Sequence, residues 1–262
     1  MSAPKLEHLR PLLKSVAQEE LLARFQSCDA QQKADGSLVT EADLAANTRI
    51  IQALKQSYPD IPVLSEEMPA TEQEALLAAQ TPLWCLDPLD GTTNFSAGLP
   101  CFAISLALLE AGQAQMGMVY DPMRDECFSA IRGQGAELNG QKLGTLKPRT
   151  PLHKGVGLVD FKRLSPTLQQ RLLSAPPYAS QRNIGAVVLD WCWLAAGRAH
   201  VYIHGGQKLW DYAAAALIFA EAGGSACSFE GEEIQPNTLK SRSAIAALDA
   251  EIFEQWQNWL NS

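Results

Sequence analysis

The sequence predicts an α+β fold in which helices are layered on sheets. Three observations carry that expectation. Apolar residues recur at helical spacing over residues 4–27. From Cys101 to about Gly140 strand and turn signals alternate as in an antiparallel meander. Beyond residue 155 strands and helices alternate, the pattern of an α/β unit.

Each element has its own signal. Leu6, Leu9, Leu12, Leu13, Val16, Leu21, Leu22 and Phe25 mark the first helix. Thr40-Glu-Ala-Asp43 reads as a capping box opening a second helix, which runs to Tyr58 and stops at Pro59. Ile61–Leu64 and Leu83–Leu86 are short apolar strands, the latter ending at Asp87-Pro88. Cys101–Leu109, Met116–Tyr120 and Glu126–Ile131 are the meander strands, with turns at Gly112, Asp121-Pro122 and Gly133–Gly135. Two prolines, a glycine and several polar residues in 144–154 divide the chain into residues 1–147 and 148–262. In the second part Gly155–Val159, Val201–Ile203, Ser225–Phe229 and Ser243–Ala247 read as strands. Val187–Ala196, Tyr212–Ala222 and a C-terminal segment carrying Ile252, Phe253, Trp256, Trp259 and Leu260 read as helices.

Composition limits what such a fold can do. Of 262 residues, 47% are apolar and 19% charged, enough to bury a core and too apolar for intrinsic disorder. A net charge of -8 argues against a nucleic-acid polymer or an anionic membrane as partner. The richest apolar stretches, Cys101–Leu109 and Ala213–Ala220, are too short to span a bilayer, and the N-terminus has no apolar signal region. Six scattered cysteines without a Cys-x-x-Cys pair fit a reduced, cytoplasmic protein. An anionic ligand would need cations to reach so acidic a chain.

The chemistry concentrates in Asp87-Pro-Leu-Asp-Gly-Thr-Thr-Asn-Phe95. Two carboxylates on a stiff turn at a strand end, with the Leu89 carbonyl between them, make an all-oxygen set suited to a hard cation such as Mg²⁺. Gly91 allows close backbone approach, and the Thr92 and Thr93 amides can point at an anion. The same residues also read as an ordinary Asp-Gly turn. Glu66, in Ser65-Glu66-Glu67 after the strand Ile61–Leu64, can reach the same place or lie in a solvated acidic loop. Asp43 reads as a helix-capping carboxylate or as partner to a threonine hydroxyl. Asp211, after Trp210, reads as the N-cap of Tyr212–Ala222 or as a further metal carboxylate. His200 and His204, four residues apart, are too few for a zinc site. Asp121, Asp125 and Asp190 receive no role, and Trp191, Trp193, Trp256 and Trp259 read as packing residues.

Taken in order, Asp43, Ser65-Glu66-Glu67, the Asp87–Phe95 motif, Trp210-Asp211-x-Ala-Ala and Glu221-Ala-Gly-Gly224 resemble the inositol monophosphatase family, within a wider group of Mg²⁺-dependent, lithium-sensitive phosphomonoesterases. The resemblance runs from about Lys33 to Ala247. It implies a layered α-β-α-β-α sandwich, with an antiparallel N-terminal sheet, an α/β C-terminal half and the site between them. It also implies that Glu66, Asp87, Asp90, Asp211 and the Leu89 carbonyl hold two or three Mg²⁺ ions. Thr92, bonded to Asp43, would activate the attacking water, and Gly91, Thr92 and Thr93 would bind phosphate. The implied partner is a small phosphorylated substrate, and homodimers are common in the family.

The departures from the family concern substrate. His204 stands where inositol-preferring members carry a glutamate. The family's Gly-Ser-Ala-Ala segment reads Gly185-Ala-Val-Val188, so Val187 replaces a small residue, and Lys208 adds a cation near Asp211. Residues 33–43 and 62–67 also resemble the 3'(2'),5'-bisphosphate nucleotidases, whereas Thr93-Asn94-Phe95 fits the inositol branch. Histidinol phosphate and fructose 1,6-bisphosphate are further substrates to weigh. A non-catalytic binding protein on the same fold is the alternative of another class.

Overall fold

The computed structural model describes residues 4–27, 30–32, 38–144 and 150–262. Cys28, residues 33–37 of the nucleotidase-like segment and the division at 147/148 lie outside them. The chain opens with α1 (Leu6–Val16), prolonged by a π-helical turn over Ala17–Leu22. A hairpin of β1 (Ala30–Gln32) and β2 (Leu38–Thr40) leads into α2 (Glu41–Ser57). The expected capping box is present. The Thr40 N–H donates to Asp43 Oδ2 at 2.7 Å, and the Asp43 N–H donates back to Thr40 Oγ1 at 3.4 Å.

A seven-stranded sheet follows in the order β3 (Val63–Ser65), β4 (Leu83–Asp90), β5 (Ala103–Glu110), β6 (Gln113–Asp121), β7 (Glu126–Ile131), β8 (Ala136–Leu138) and β9 (Gln141–Lys142). It is antiparallel except for β3–β4, which pair in parallel across α3 (Ala70–Ala78). The short α4 (Thr92–Ser96) joins β4 to β5. The remaining strands, β10 (Val156–Asp160), β11 (Ser180–Arg182), β12 (Val201–Gln207), β13 (Ser225–Cys227) and β14 (Arg242–Ala247), form a five-stranded sheet ordered β11-β10-β12-β14-β13. Here β10 runs parallel to both neighbours. Its helices are α5 (Pro166–Ser174), α6 (Val187–Ala195), α7 (Leu209–Glu221) and α8 (Ala250–Asn261).

Strand alternation sorts side chains between layers. Trp84, Leu86, Ile104 and Met118 face α1 and α2, while Cys85, Ala107, Val119 and Phe128 face α6 and α7. The other side of that helical layer meets Tyr202, Ala244 and Ala246. Val201, Ile203 and Ile245 point away from it, toward Leu172 of α5 and Trp256 of α8. The layers are therefore α-β-α-β-α, as expected. The middle layer is tight: a Cβ on Gly117 of β6 would lie 2.7 Å from the Ala214 carbonyl of α7. At its C-terminal end α7 is gripped too, since the Gly133 and Gly135 N–H groups donate to the Glu221 carboxylate at 2.7 and 2.8 Å.

Three of the boundaries that differ from expectation bear on the site. β4 does not end at Leu86 but continues through Asp90, because a register irregularity between Asp87 and Asp90 accommodates Pro88 without ending the strand. α7 begins at Leu209, not Tyr212, so Asp211 sits at its third position and not at the N-cap; the Lys208 N–H donates to its carboxylate at 2.8 Å. β12 extends past Ile203 to Gln207. Unanticipated elements are short or weakly apolar, as α3 and α5 are.

Candidate metal centre and its cleft

Residues three apart on a regular strand face opposite sides of the sheet. Asp87 pairs with Ser105 and Asp90 with Ala103, so β4 carries one extra residue across this stretch. The bulge restores parity and turns both carboxylates to one side. The Leu89 N–H donates to Asp87 Oδ1 at 3.0 Å, and the Val188 N–H, in the first turn of α6, donates to Asp90 Oδ2 at 2.8 Å. Asp211 arrives from the first turn of α7. One carboxylate oxygen from each of Asp87, Asp90 and Asp211 lies within 4.8 Å of the others.

Glu66 follows β3, which parallel pairing sets beside β4; its N–H donates to the Leu86 carbonyl at 3.1 Å. Gly91, at φ +90°, turns the chain from β4 into α4, and a Cβ there would sit 2.8 Å from the Cys101 carbonyl. That turn carries the Thr92 hydroxyl to 3.1 Å from Asp43 Oδ1 and 3.0 Å from the Leu89 carbonyl. Asp43 thus caps α2 through one oxygen and meets Thr92 through the other. The two contacts use different oxygens of one carboxylate.

These groups open into a cleft of about 700 Å³ lined by Glu66, Asp87, Leu89, Asp90, Gly91, Thr92 and Asp211, and by Gly185, Val187, His204 and Lys208. Thr93 is exposed and does not line it. His200 is elsewhere, with its Nδ1 accepting from the Val156 N–H at 3.0 Å. His204 lines the cleft: Nδ1 accepts from the Gly206 N–H at 3.1 Å, and Nε2, 3.1 Å from Asp160 Oδ2, is not aligned for a hydrogen bond.

Electrostatics separates the acids. Burial, then Glu66, Asp90 and Asp211, holds Asp87 well above the usual carboxylate range. Burial and Asp211 do the same for Asp90. Burial also raises Asp211, opposed by the Lys208 N–H and by the charges of Arg163 and Lys208. Asp43 is pushed up to about 6, chiefly by burial. Carboxylates crowded and desolvated in this way need either protons or a cation.

Sequence reasoning missed Asp160, Lys162, Arg163 and Asp190, all of which line the cleft. Asp160 ends β10 beside His204 of the parallel β12. The C-terminal ends of parallel strands are where α/β sheets place ligands, and that signal was available. Asp190 is a lone acid in the apolar helix α6, raised well above its usual range by burial and then by Asp90 and Asp160. Asp121 is turn chemistry, as expected: its Oδ1 accepts from the Met123 and Arg124 N–H groups at 3.0 and 3.2 Å.

A sequence model of the inositol monophosphatase family matches residues 5–260. Nus factor SuhB of Pasteurella multocida is 38% identical over 203 residues, 76% of this chain and 74% of that protein. Among solved structures, a Thermotoga maritima IMPase matches with a TM-score of 0.80 and 28% identity, covering 98% of this chain and 97% of its own. An IMPase/NADP phosphatase complexed with Mg²⁺ and phosphate matches with a TM-score of 0.77 and 25% identity, covering 95% and 90%.

Proposed function

This chain belongs to the inositol monophosphatase family, and from that premise we propose that it hydrolyses a small phosphomonoester in a magnesium-dependent reaction. One observation carries the reading: oxygens of Asp87, Asp90 and Asp211 within 4.8 Å of one another, beside a Thr92 hydroxyl 3.1 Å from Asp43. The donors are carboxylates, joined by Glu66 and the Leu89 carbonyl on the same cleft wall, a set that fits a hard divalent cation. Two or three Mg²⁺ ions held there would neutralise the phosphate and make water more acidic.

The chain's own residues then do the rest. Thr92 has one hydroxyl hydrogen and two acceptors in reach, Asp43 Oδ1 and the Leu89 carbonyl. Were the Leu89 carbonyl taken up as a ligand, that hydrogen would go to Asp43. The Thr92 oxygen would then be free to accept from a water and aim it at phosphorus, opposite the ester oxygen that leaves. As the new P–O bond forms, the water's proton passes through Thr92 to Asp43; the ester P–O bond breaks with its electron pair on the leaving oxygen, which takes a proton from solvent to become the alcohol, and Asp43 returns its proton to solvent. The backbone at Gly91 and Thr92 would steady the phosphate oxygens. A homodimer and a cytoplasmic setting belong to the same proposal.

The test is phosphate release in millimolar Mg²⁺ from inositol 1-phosphate, adenosine 3',5'-bisphosphate, histidinol phosphate and fructose 1,6-bisphosphate, with Asp90→Asn as control. Release from the parent and none from the variant supports the reading. A second reading comes from the relative named Nus factor SuhB: the fold serving as a binding protein without turnover. A melting midpoint that does not respond to Mg²⁺, together with no phosphate release, favours it.

A further inference from the structure

The motif that ends at Phe95 holds a buried polar residue with no part in the chemistry above. Asn94 lies in α4, two positions after Thr92, and is 7% exposed. Its Nδ2 donates to the Cys101 carbonyl and to the Ile184 carbonyl, each at 2.8 Å. A side-chain amide nitrogen carries two hydrogens, and here both are engaged by main-chain carbonyls. Cys101 lies between α4 and β5, and Ile184 lies just before α6. One side chain therefore ties the turn after β4 to the segment that opens α6, 90 residues further along the chain.

The junction is closely fitted. A Cβ on Gly185, at φ +76°, would lie 3.2 Å from both polar atoms of the Asn94 amide, so the amide lies across that glycine. A Cβ on Gly91 would meet not only the Cys101 carbonyl but also the Ala186 Cβ, at 3.2 Å. What these contacts hold is part of the site. The Val188 N–H donates to Asp90 Oδ2 at 2.8 Å, and Gly185 and Val187 line the cleft. A second tie lies further along α6. Arg124 donates from Nη1 to the Pro100 carbonyl at 3.1 Å, and its guanidinium covers the Trp193 ring at 4.8 Å from the centroid. The helix is thus held in two places, and Asn94 governs its opening turn.

We propose that Asn94 is a positioning residue that sets the first turn of α6 against the Thr92 turn, and so fixes both the Val188 N–H on Asp90 and the Gly185–Val187 side of the cleft. The second half of this rests on the phosphatase reading above; the first needs only that Asp90 binds a cation. The side chain is specific to the task. An ionised aspartate has no hydrogen to offer either carbonyl. An alanine leaves both carbonyls without a donor in a buried place, where an unpaired polar group is costly. Freed from the tie, the segment before α6 shifts until water reaches those carbonyls, and the Val188 N–H moves off Asp90. The Thr92 hydroxyl keeps its place, because both its partners lie outside α6.

Asn94→Ala and Asn94→Ser test this by calorimetric Mg²⁺ titration of the metal-free protein, and by kinetics at saturating Mg²⁺ with whichever of the four phosphomonoesters above the parent hydrolyses fastest. The serine variant leaves room for a water to bridge to the carbonyls, and it keeps the test open if the alanine variant does not fold. The expected result is a Mg²⁺ dissociation constant raised about tenfold, as when a metal ligand loses a group that orients it, with a KM that rises more than kcat falls. Ile252→Ala is the control. Ile252 belongs to α8, among the residues packed on the outer face of the five-stranded sheet. That variant should lose stability while both constants stay at the parent values. A Mg²⁺ constant or a KM unchanged in a folded Asn94 variant overturns the proposal. So do equal shifts in Ile252→Ala, which would trace them to lost stability alone. A parent that binds Mg²⁺ and releases no phosphate from any of the four compounds sinks the phosphatase reading, and the Mg²⁺ titration then still decides the role of Asn94.

Discussion

The two walls of the cleft are made differently. The acidic wall is backbone-determined: a strand bulge, a glycine turn and a helix start hold its groups, and Asp87 is only 1% exposed. The basic wall presents long side chains from a surface turn, and the Arg163 side chain is 48% exposed. The difference teaches where rigidity is required. Groups that must meet around a small charge are fixed by main-chain geometry and desolvated, where electrostatic effects are large. Long charged side chains on a surface turn keep their water, which screens them.

Four experiments break or sharpen this contrast. Asp90→Asn should have the largest effect, lowering phosphate release on the order of 10³-fold and removing the rise in melting midpoint produced by Mg²⁺. In chelator the same variant should melt higher than the parent, because it removes one of the mutually repelling buried acids. A parent-like response to Mg²⁺ would remove Asp90 from the centre. Thr92→Ala should lower kcat on the order of 10²-fold while leaving the Mg²⁺-induced stabilisation intact; full activity would mean that the Asp43–Thr92 pair does not handle the water's proton.

The third experiment is a pH series of melting midpoints. Asp43 is raised from 3.8 to about 6, and Asp87, Asp90 and Asp211 are raised as well. The folded state therefore binds protons more tightly than the unfolded chain at these sites. The stability that Asp43 contributes in this way is fully present below about pH 4 and is lost as pH rises through about 6; that of the other three is lost as pH rises through folded values above the usual carboxylate range. In chelator the midpoint contribution of these acids should fall over that window. Saturating Mg²⁺ should oppose the trend, since its binding displaces protons and strengthens as pH rises. Identical curves with and without Mg²⁺ would show that no cation competes for these acids.

Gly205→Ala is the mildest. The added methyl must push the Arg163 carbonyl away, at a cost of about 1–3 kcal/mol, read as a melting midpoint lower by several degrees. The Mg²⁺ response should survive, because β4 and α7 do not depend on that approach. Loss of the Mg²⁺ response would show that the two walls are coupled.

How far the sequence could be read follows the same division. Asp87 to Phe95 is contiguous, so bulge, turn and helix start lie within one motif, and its candidate residues stood out at once. Asp43 was ambiguous because capping and Thr92 bonding use different oxygens of one carboxylate. Asp211 is legible as a capping or metal carboxylate, although it stands at the third position of α7 and not at its N-cap, since an acid at the third position bonds the same kind of free N–H as a cap. The basic wall was largely illegible. Asp160, Lys162 and Arg163 follow a short strand, and only the parallel pairing of Asp160 with His204 brings them to the cleft. His204 and Lys208 come from comparison with the family pattern, which could not reveal that His204 Nδ1 is taken by the Gly206 N–H. Asp190 could have been suspected on burial grounds alone, as a single acid within an apolar helix.

The grip on α7 has a consequence for how such a protein can change over generations. The helix that delivers Asp211 is seated on β6 at Gly117 and fastened at its far end by Glu221, so it is anchored to the sheet that carries Asp87 and Asp90. Although Asp211 lies far along the chain, its distance from those acids is set by that seating and not by the five-stranded sheet. The turn after β10 can therefore be rewritten, lengthened or recharged without disturbing the spacing of the acids. One set of acids can be inherited unchanged while the wall opposite it drifts.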